Sequence, residues 1–382
     1  MSVLNFVKKT VVKNLANLPG WSTNRKIVVI ESDDWGSIRM PSNKTREILI
    51  KKGVDLLSGD SYRYNMYDTL ATENDLSALF DTLSIVKDKN DNHCIITSIS
   101  LVANPDFEKI KASNFEKYYF EPFTETFKRY PDCKSSFEMW QEGIKNHFFV
   151  PQFHGREHLN IQVWLKALQN NDKHTRLAFD YGTWGFNNVL PSIVSYQAAF
   201  DLDQPNEIEY QKVVITSGLE LFEQLHGYKA TVFVPPNGPF NEILEETAFA
   251  GGIHFMSASK IHNEPQGNGL FKKKFHYLGQ KNKYGQRYIT RNCFFEPSAA
   301  GKDWVDSCLN DIQIAFRWSK PAVVSSHRVN YIGALAASNR DKGLEQLKQL
   351  LQTIVKRWPD VEFMTSSELG ALIDKKIQTR QM

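Results

Sequence analysis

Several features are missing from this chain, and each absence narrows what it can be. No stretch of its 382 residues stays apolar long enough to cross a bilayer. The opening segment, MSVLNFVKKTVVKNLANLPG, breaks its apolar residues with lysines and has no small-residue cleavage site, so no signal peptide is expected. Charge of one sign is lacking too: 46 basic residues face 43 acidic ones, which gives no argument for nucleic acid as a partner. Only four cysteines occur, Cys94, Cys133, Cys293 and Cys308, far apart and without a CxxC pair. That spacing excludes a disulfide framework or zinc ribbon and fits free thiols in a reducing compartment. The expected location is the cytoplasm. Internal repeats, low-complexity tracts and clear linkers are absent as well.

What is present is a foldable chain, 41% apolar and 12% aromatic. Short apolar runs alternate with helical patterns, the signature of parallel βα units. The expected strands are Lys26–Glu31, Cys94–Ile99, Phe148–Phe153, Arg176–Asp180, Ala230–Val234, Ile253–Ser257, Tyr288–Phe294, Ala322–Ser326 and Val361–Met364. Eight or nine such units point to an α/β barrel rather than an open sheet. Residues 26–375 read as one barrel domain, with insertions around 40–92 and 105–147. Residues 1–25 read as a helical extension. Val3, Phe6, Val7, Val11 and Leu15 fall at helical spacing with Lys8, Lys9 and Lys13 between them. Packing on the domain is the expectation for this helix, and weak contact with a membrane surface is the alternative.

In parallel βα barrels, catalytic groups collect at the C-terminal ends of strands. Three expected strands end in ionisable residues. KIVVIESDDWG delivers Asp33 and Asp34, HFFVPQFHGREHLN delivers His154 and His158, and AVVSSHRVNY delivers His327. Adjacent carboxylates repel and are costly to bury, so stability alone does not account for them. If a helix begins at His154, the HxxxH spacing puts both imidazoles on one face, where they can share a metal ion with a carboxylate such as Asp34. The same five residues also fit HxxEH, the inverted zinc-peptidase pattern with Glu157 as base, although Pro151 and Gly155 disfavour the long helix that pattern needs.

In this order, ESDDWG, HGREH, VPPNG and SSHR resemble the motifs of the polysaccharide deacetylase family, carbohydrate esterase family 4 with the NodB-homology fold. The resemblance covers about residues 26 to 370. It implies a distorted (β/α) barrel of about seven parallel strands and a divalent metal cofactor, commonly Zn2+. It also implies Asp33 as general base, Asp34, His154 and His158 as metal ligands, and His327 as general acid. The implied substrate is an N-acetylated sugar. With no export signal, a sugar nucleotide or lipid-linked glycan of surface polysaccharide biosynthesis fits better than an extracellular polymer.

The chain departs from the family pattern at its third motif. Val234 stands where the family has an Arg that orients the base, and Asn237 stands where it has an aromatic residue. Arg291 and Arg328 are the arginines available to replace the missing one, and both are expected at the substrate. Trp35, Pro236 and Asn237 are expected at the substrate, together with Asp180, Tyr181 and Trp184 of FDYGTWGF, which would offer stacking surfaces to a sugar ring. Two other readings stay open: a peptidase using Glu157, and a carbohydrate-binding protein without catalysis.

Overall fold

The computed structural model describes residues 11–58, 61–186 and 194–381. At its centre lies a nine-stranded sheet. Its strands are β1 (Lys26–Trp35), β2 (Ile96–Leu101), β3 (Phe149–Gly155), β4 (Val232–Phe233), β5 (Phe255–Ser257), β6 (Arg287–Ile289), β7 (Cys293–Phe294), β8 (Ala322–His327) and β9 (Val361–Phe363). Every pairing in the sheet is parallel. The spatial order is β6-β5-β4-β3-β2-β1-β8-β7, with β9 beside the start of β1. Strands β6 and β7 hold opposite edges, yet only Thr290, Arg291 and Asn292 separate them in the chain. One segment therefore serves both edges and completes a ring. Counting β6 and β7 as one stave, the ring has seven: β1 to β5, the β6–β7 segment, and β8. The fold is the distorted (β/α) barrel expected from the sequence.

Period-two alternation sorts the side chains. Ile27 and Val29 of β1 pack inside the ring with Ile99, Val232, Ile289 and Val323. Leu369 and Ile373 of the helix Ser366–Gln381 join this inner cluster. Val28 and Ile30 face outward into the layer between sheet and helices. On β1, β8 and the β6–β7 segment the inner stripe turns polar toward its C-terminal end. Ile27 and Val29 lead to Glu31 and Asp33, Ile289 leads to Arg291, and Val323 leads to Ser325 and His327. The polar ends meet at one mouth of the barrel.

Two elements differ from expectation. Arg176–Asp180 lies in a helix, Lys173–Asp180, whose N-cap Asp172 accepts from Thr175 N–H. Its buried residues, Thr175, Ala178 and Phe179, have helical spacing, and that period outweighs the apolar run. The expected strand Tyr288–Phe294 is the β6–β7 segment, interrupted at the seam. Between β1 and β2, the helix Glu73–Ser84 opens with a capping box of Thr72 and Asp75. It packs on the helices Ser136–Lys145 and Ala337–Arg357, so this stretch is part of the outer helical layer.

Residues 11–15 are helical and dock on the barrel rim. Lys13 Nζ lies 2.5 Å from Asp311 Oδ1, and Lys260 donates to Ala16 O at 2.7 Å. Val3, Phe6, Val7, Lys8 and Lys9 lie outside the described residues. All four cysteines are free and buried. Among the described residues, no helix is long and apolar enough to cross a membrane.

Candidate active site

The mouth of the barrel opens into a cavity of about 440 Å³ lined by Asp33, Asp34, His154, His158, Arg291 and His327, among others. Simple alternation along β1 would send Asp33 inward and Asp34 outward. The register of β1 against β2 shifts between Ser32 and Trp35, and Asp34 has φ +75°. This bulge and left-handed residue swing the second carboxylate back to the cavity. Held strain of this kind in a buried non-glycine residue is a mark of functional sites.

Asp34 meets both histidines. Its Oδ1 lies 3.4 Å from His154 Nε2 and 3.2 Å from His158 Nε2. The ligand atoms of the three residues all fall within 4.8 Å of one another. His154 Nδ1 donates to the carbonyl of Val234 at 2.6 Å, because a carbonyl can only accept. That bond leaves Nε2 bare and aimed at Asp34, as in metal sites where an outer carbonyl fixes the ligand tautomer. Burial pushes His158 down, toward the neutral imidazole that ligates metals. Burial opposes the charge on Asp34, but a proton on the imidazoles beside it, His158 first, outweighs burial and holds the carboxylate well below its usual range. Asp34 Oδ1 and His154 Nε2 are buried without a hydrogen-bond partner. Two imidazoles, one carboxylate and orphaned facing atoms fit a divalent cation.

The two histidines reach this point without a shared helix. His154 ends β3, Gly155 turns the chain at φ +130°, and His158 precedes the helix Ile161–Gln169, capped by Asn160. A Cβ at Gly155 would sit 3.3 Å from Glu157 O in a backbone conformation that disfavours side chains, which is why glycine stands there.

Asp33 is gripped by Arg291. Nη1 and Nη2 donate to Oδ2 and Oδ1, both at 2.6 Å, while Nε donates to Glu31 Oε2 at 2.5 Å. Burial alone would favour the neutral acid, but the Arg291 charge and hydrogen bonds outweigh it, so Asp33 is held below the ordinary carboxylate range. On the next strand, His327 pairs in register with Asp33, and its Nε2 lies 3.8 Å from Asp33 Oδ2. Its Nδ1 bonds Glu296 Oε1 at 2.5 Å. Burial by itself would lower His327, but Glu296, Asp34 and Asp33 together push it up to about 9. Glu296 is fixed in turn by Arg63 at 2.6 Å and Asn330 at 2.9 Å.

Of the other residues expected at the substrate, only Asn237 and Arg291 line the cavity. Trp35 is 1% exposed, its ring packed edge-on against Trp140 and Phe149 and its Nε1 donating to Ser32 Oγ. It is core because the bulge that turns Asp34 inward leaves Trp35 facing the helical layer. Arg328, also 1% exposed, is committed to Asp68 and to the carbonyl of Ser37. Asp180 pairs with Lys111 at the surface, and Tyr181 caps its helix. Pro236 is buried against Gly155. Trp184 is buried and lies behind the site, stacked over the His158 ring at 6.2 Å. Glu157 accepts from Arg156 Nε at 2.7 Å, away from the cavity. Glu31, Arg39, Tyr64 and Gln197 were not anticipated. For Glu31 there was a signal, an acid inside an apolar strand. For the others there was none.

No family model and no curated protein matches the chain. Among solved structures it is similar to a "probable polysaccharide deacetylase" from Pseudomonas aeruginosa PAO1, with 8% identity, TM-score 0.46 and 91% of each chain covered. It is also similar to an allantoinase, with 9% identity, TM-score 0.47, and 92% of this chain and 91% of that one covered. A third is a 4-alpha-glucanotransferase from Thermococcus litoralis, with 9% identity and TM-score 0.46, covering 90% of this chain but 40% of that one. Activities differ among these three, and none assigns a role to a residue here. Any role rests on the side chains themselves.

Proposed function

We propose that the chain is a metal-dependent amide hydrolase of the polysaccharide deacetylase type, acting on an N-acetylated sugar or glycan intermediate. The observation that carries this reading is the meeting of the Asp34–His154–His158 cluster with an Arg-held carboxylate and a Glu-held imidazole in one cavity. A divalent cation on those three ligands, zinc being the first to test, supplies Lewis acidity toward a carbonyl oxygen and toward water. Arg291 keeps Asp33 ionised and fixed, so that Asp33 can take the proton of the attacking water. Glu296 keeps a proton on His327, which stands on the same side of the cavity to give it to the departing nitrogen. Asn237, on the cavity rim, is placed to meet the substrate.

The peptidase reading loses its base, because Glu157 is turned to Arg156. A binding protein without catalysis was kept open by the missing arginine, and Arg291 fills that position from another strand.

The test pairs metal analysis with acetate release. Purified protein should carry close to one equivalent of divalent metal, lost in His154→Ala and Asp34→Asn and retained in Asp33→Asn. Wild type should release acetate from an N-acetylated sugar or glycan, and all three variants should not. A wild type that takes up no metal on reconstitution would overturn the proposal.

A further inference from the structure

Arg39 lies five residues after Asp34, lines the same cavity and is only 3% exposed. The other arginines around the site, Arg328 buried and Arg291 and Arg63 half-buried, each hold a carboxylate: Arg291 holds Asp33, Arg63 holds Glu296, and Arg328 holds Asp68. Arg39 makes no ion pair among the described residues, and the carboxylate within its electrostatic reach, Asp68, is already bonded to Arg328. Its Nη2 donates to Gln197 Oε1 at 2.5 Å, and its Nε is buried without any hydrogen-bond partner.

The surroundings are built to hold this guanidinium. Tyr64 and Trp184 present their rings at 5.0 and 5.5 Å. Gly185 passes so close that a Cβ there would meet Arg39 Nε at 2.9 Å. Gln197 is set as an acceptor because its own amide donates to Ser61 Oγ at 3.2 Å. The TWGF segment, which reads in sequence as a sugar-stacking loop, is thus the cradle of an arginine. A buried charge is ordinarily paired, since leaving it unanswered is costly. Aromatic faces steady a guanidinium, but they do not use its fork of donors.

We propose that Arg39 is a specificity residue for an anionic substrate group, a carboxylate or a phosphate, bound beside the Asp34–His154–His158 cluster. Its sugar context rests on the deacetylase reading, whereas the anion site itself does not.

The experiment is calorimetric binding to the full chain with metal removed by chelation, so that no probe binds through a metal. The probes are N-acetylglucosamine, N-acetylglucosamine 1-phosphate, N-acetylmuramic acid and inorganic phosphate. At least one anionic sugar should bind about 10-fold or more tighter than the neutral one, the range of a charge-assisted hydrogen bond. The sugar that gains tells phosphate from carboxylate. Arg39→Gln should erase the preference while leaving the neutral sugar unchanged, and Arg39→Lys should narrow it. Equal binding of all three sugars to wild type overturns the proposal, as does an equal loss for all three in Arg39→Gln. If no sugar binds, yet inorganic phosphate binds wild type and not Arg39→Gln, the anion site stands and the carbohydrate reading falls. If no anion binds wild type, the anion site falls. Should Arg39→Gln not fold, the wild-type comparison and Arg39→Lys decide.

Discussion

Arg291, half-buried, and Arg328, fully buried, are both paired to an aspartate and both close to the strand ends that carry the site. They do different work. Arg328 is sealed between Asp68 and the Ser37 carbonyl, with its ring of donors spent on the loops behind β1. Arg291 stands on the inner stripe, binds two acids of β1 at once and keeps one edge on the cavity. The difference is one of direction. A buried ion pair facing the protein on all sides can only hold structure, whereas one facing a cavity also sets the charge and aim of a group that substrate can reach.

Four variants sharpen this contrast, taken from the largest effect to the smallest. Asp33→Asn should lower kcat by roughly 10²- to 10⁴-fold, the range for a lost general base, with a smaller stability loss than Arg328→Ala. Arg328→Ala should act on the fold instead. Leaving Asp68 buried and unpaired costs on the order of 3–5 kcal/mol in denaturant unfolding, and the double variant Arg328→Met with Asp68→Leu should recover most of it. Arg291→Lys keeps a cation but loses the two-pronged grip, so it should lower kcat by about 10-fold or more with a smaller stability loss than Arg328→Ala. An Arg291→Lys enzyme that melts early but turns over normally would erase the distinction between the two arginines.

The fourth variant concerns pH. His327 is raised to about 9, so it holds its proton below that value and loses it as pH rises through about 9. The rate should therefore fall on the alkaline side through about pH 9. Glu296→Gln removes the nearest anion holding that proton and should move this limb to lower pH, read from a kcat–pH profile. The same group contributes to folding: its share is full below the unfolded value of 6.5 and is lost as pH rises through about 9.

Much of the fold was legible because β-branched runs such as KIVVI and AVVSS mark buried parallel strands without help from distant residues. The run Arg176–Asp180 misled because its apolar residues sit at helical spacing behind a capping Asp172. The residues of the Asp34–His154–His158 cluster could be named from HxxxH and the adjacent aspartates, but the way they converge could not. The turn at Gly155 and the left-handed φ of Asp34 are backbone events that residue types only hint at. Arg291 and Arg328 were both candidates for the partner of Asp33, and spacing could not choose between them, since Arg291 stands 258 positions away and only barrel closure brings it to Asp33. Arg39 went unnoticed for a related reason: a missing partner can be seen only once all neighbours are in place.

The three-residue seam between β6 and β7 has a bearing on how the barrel assembles. Without that segment Glu31 and Asp33 would project side by side from β1 with His327 as the cation beside Asp33, and the open ring would carry repulsion at its polar end. Docking of Thr290–Asn292 converts that repulsion into attraction by delivering Arg291 to both acids. The seam of the ring is thus fastened by charge as well as by strand pairing.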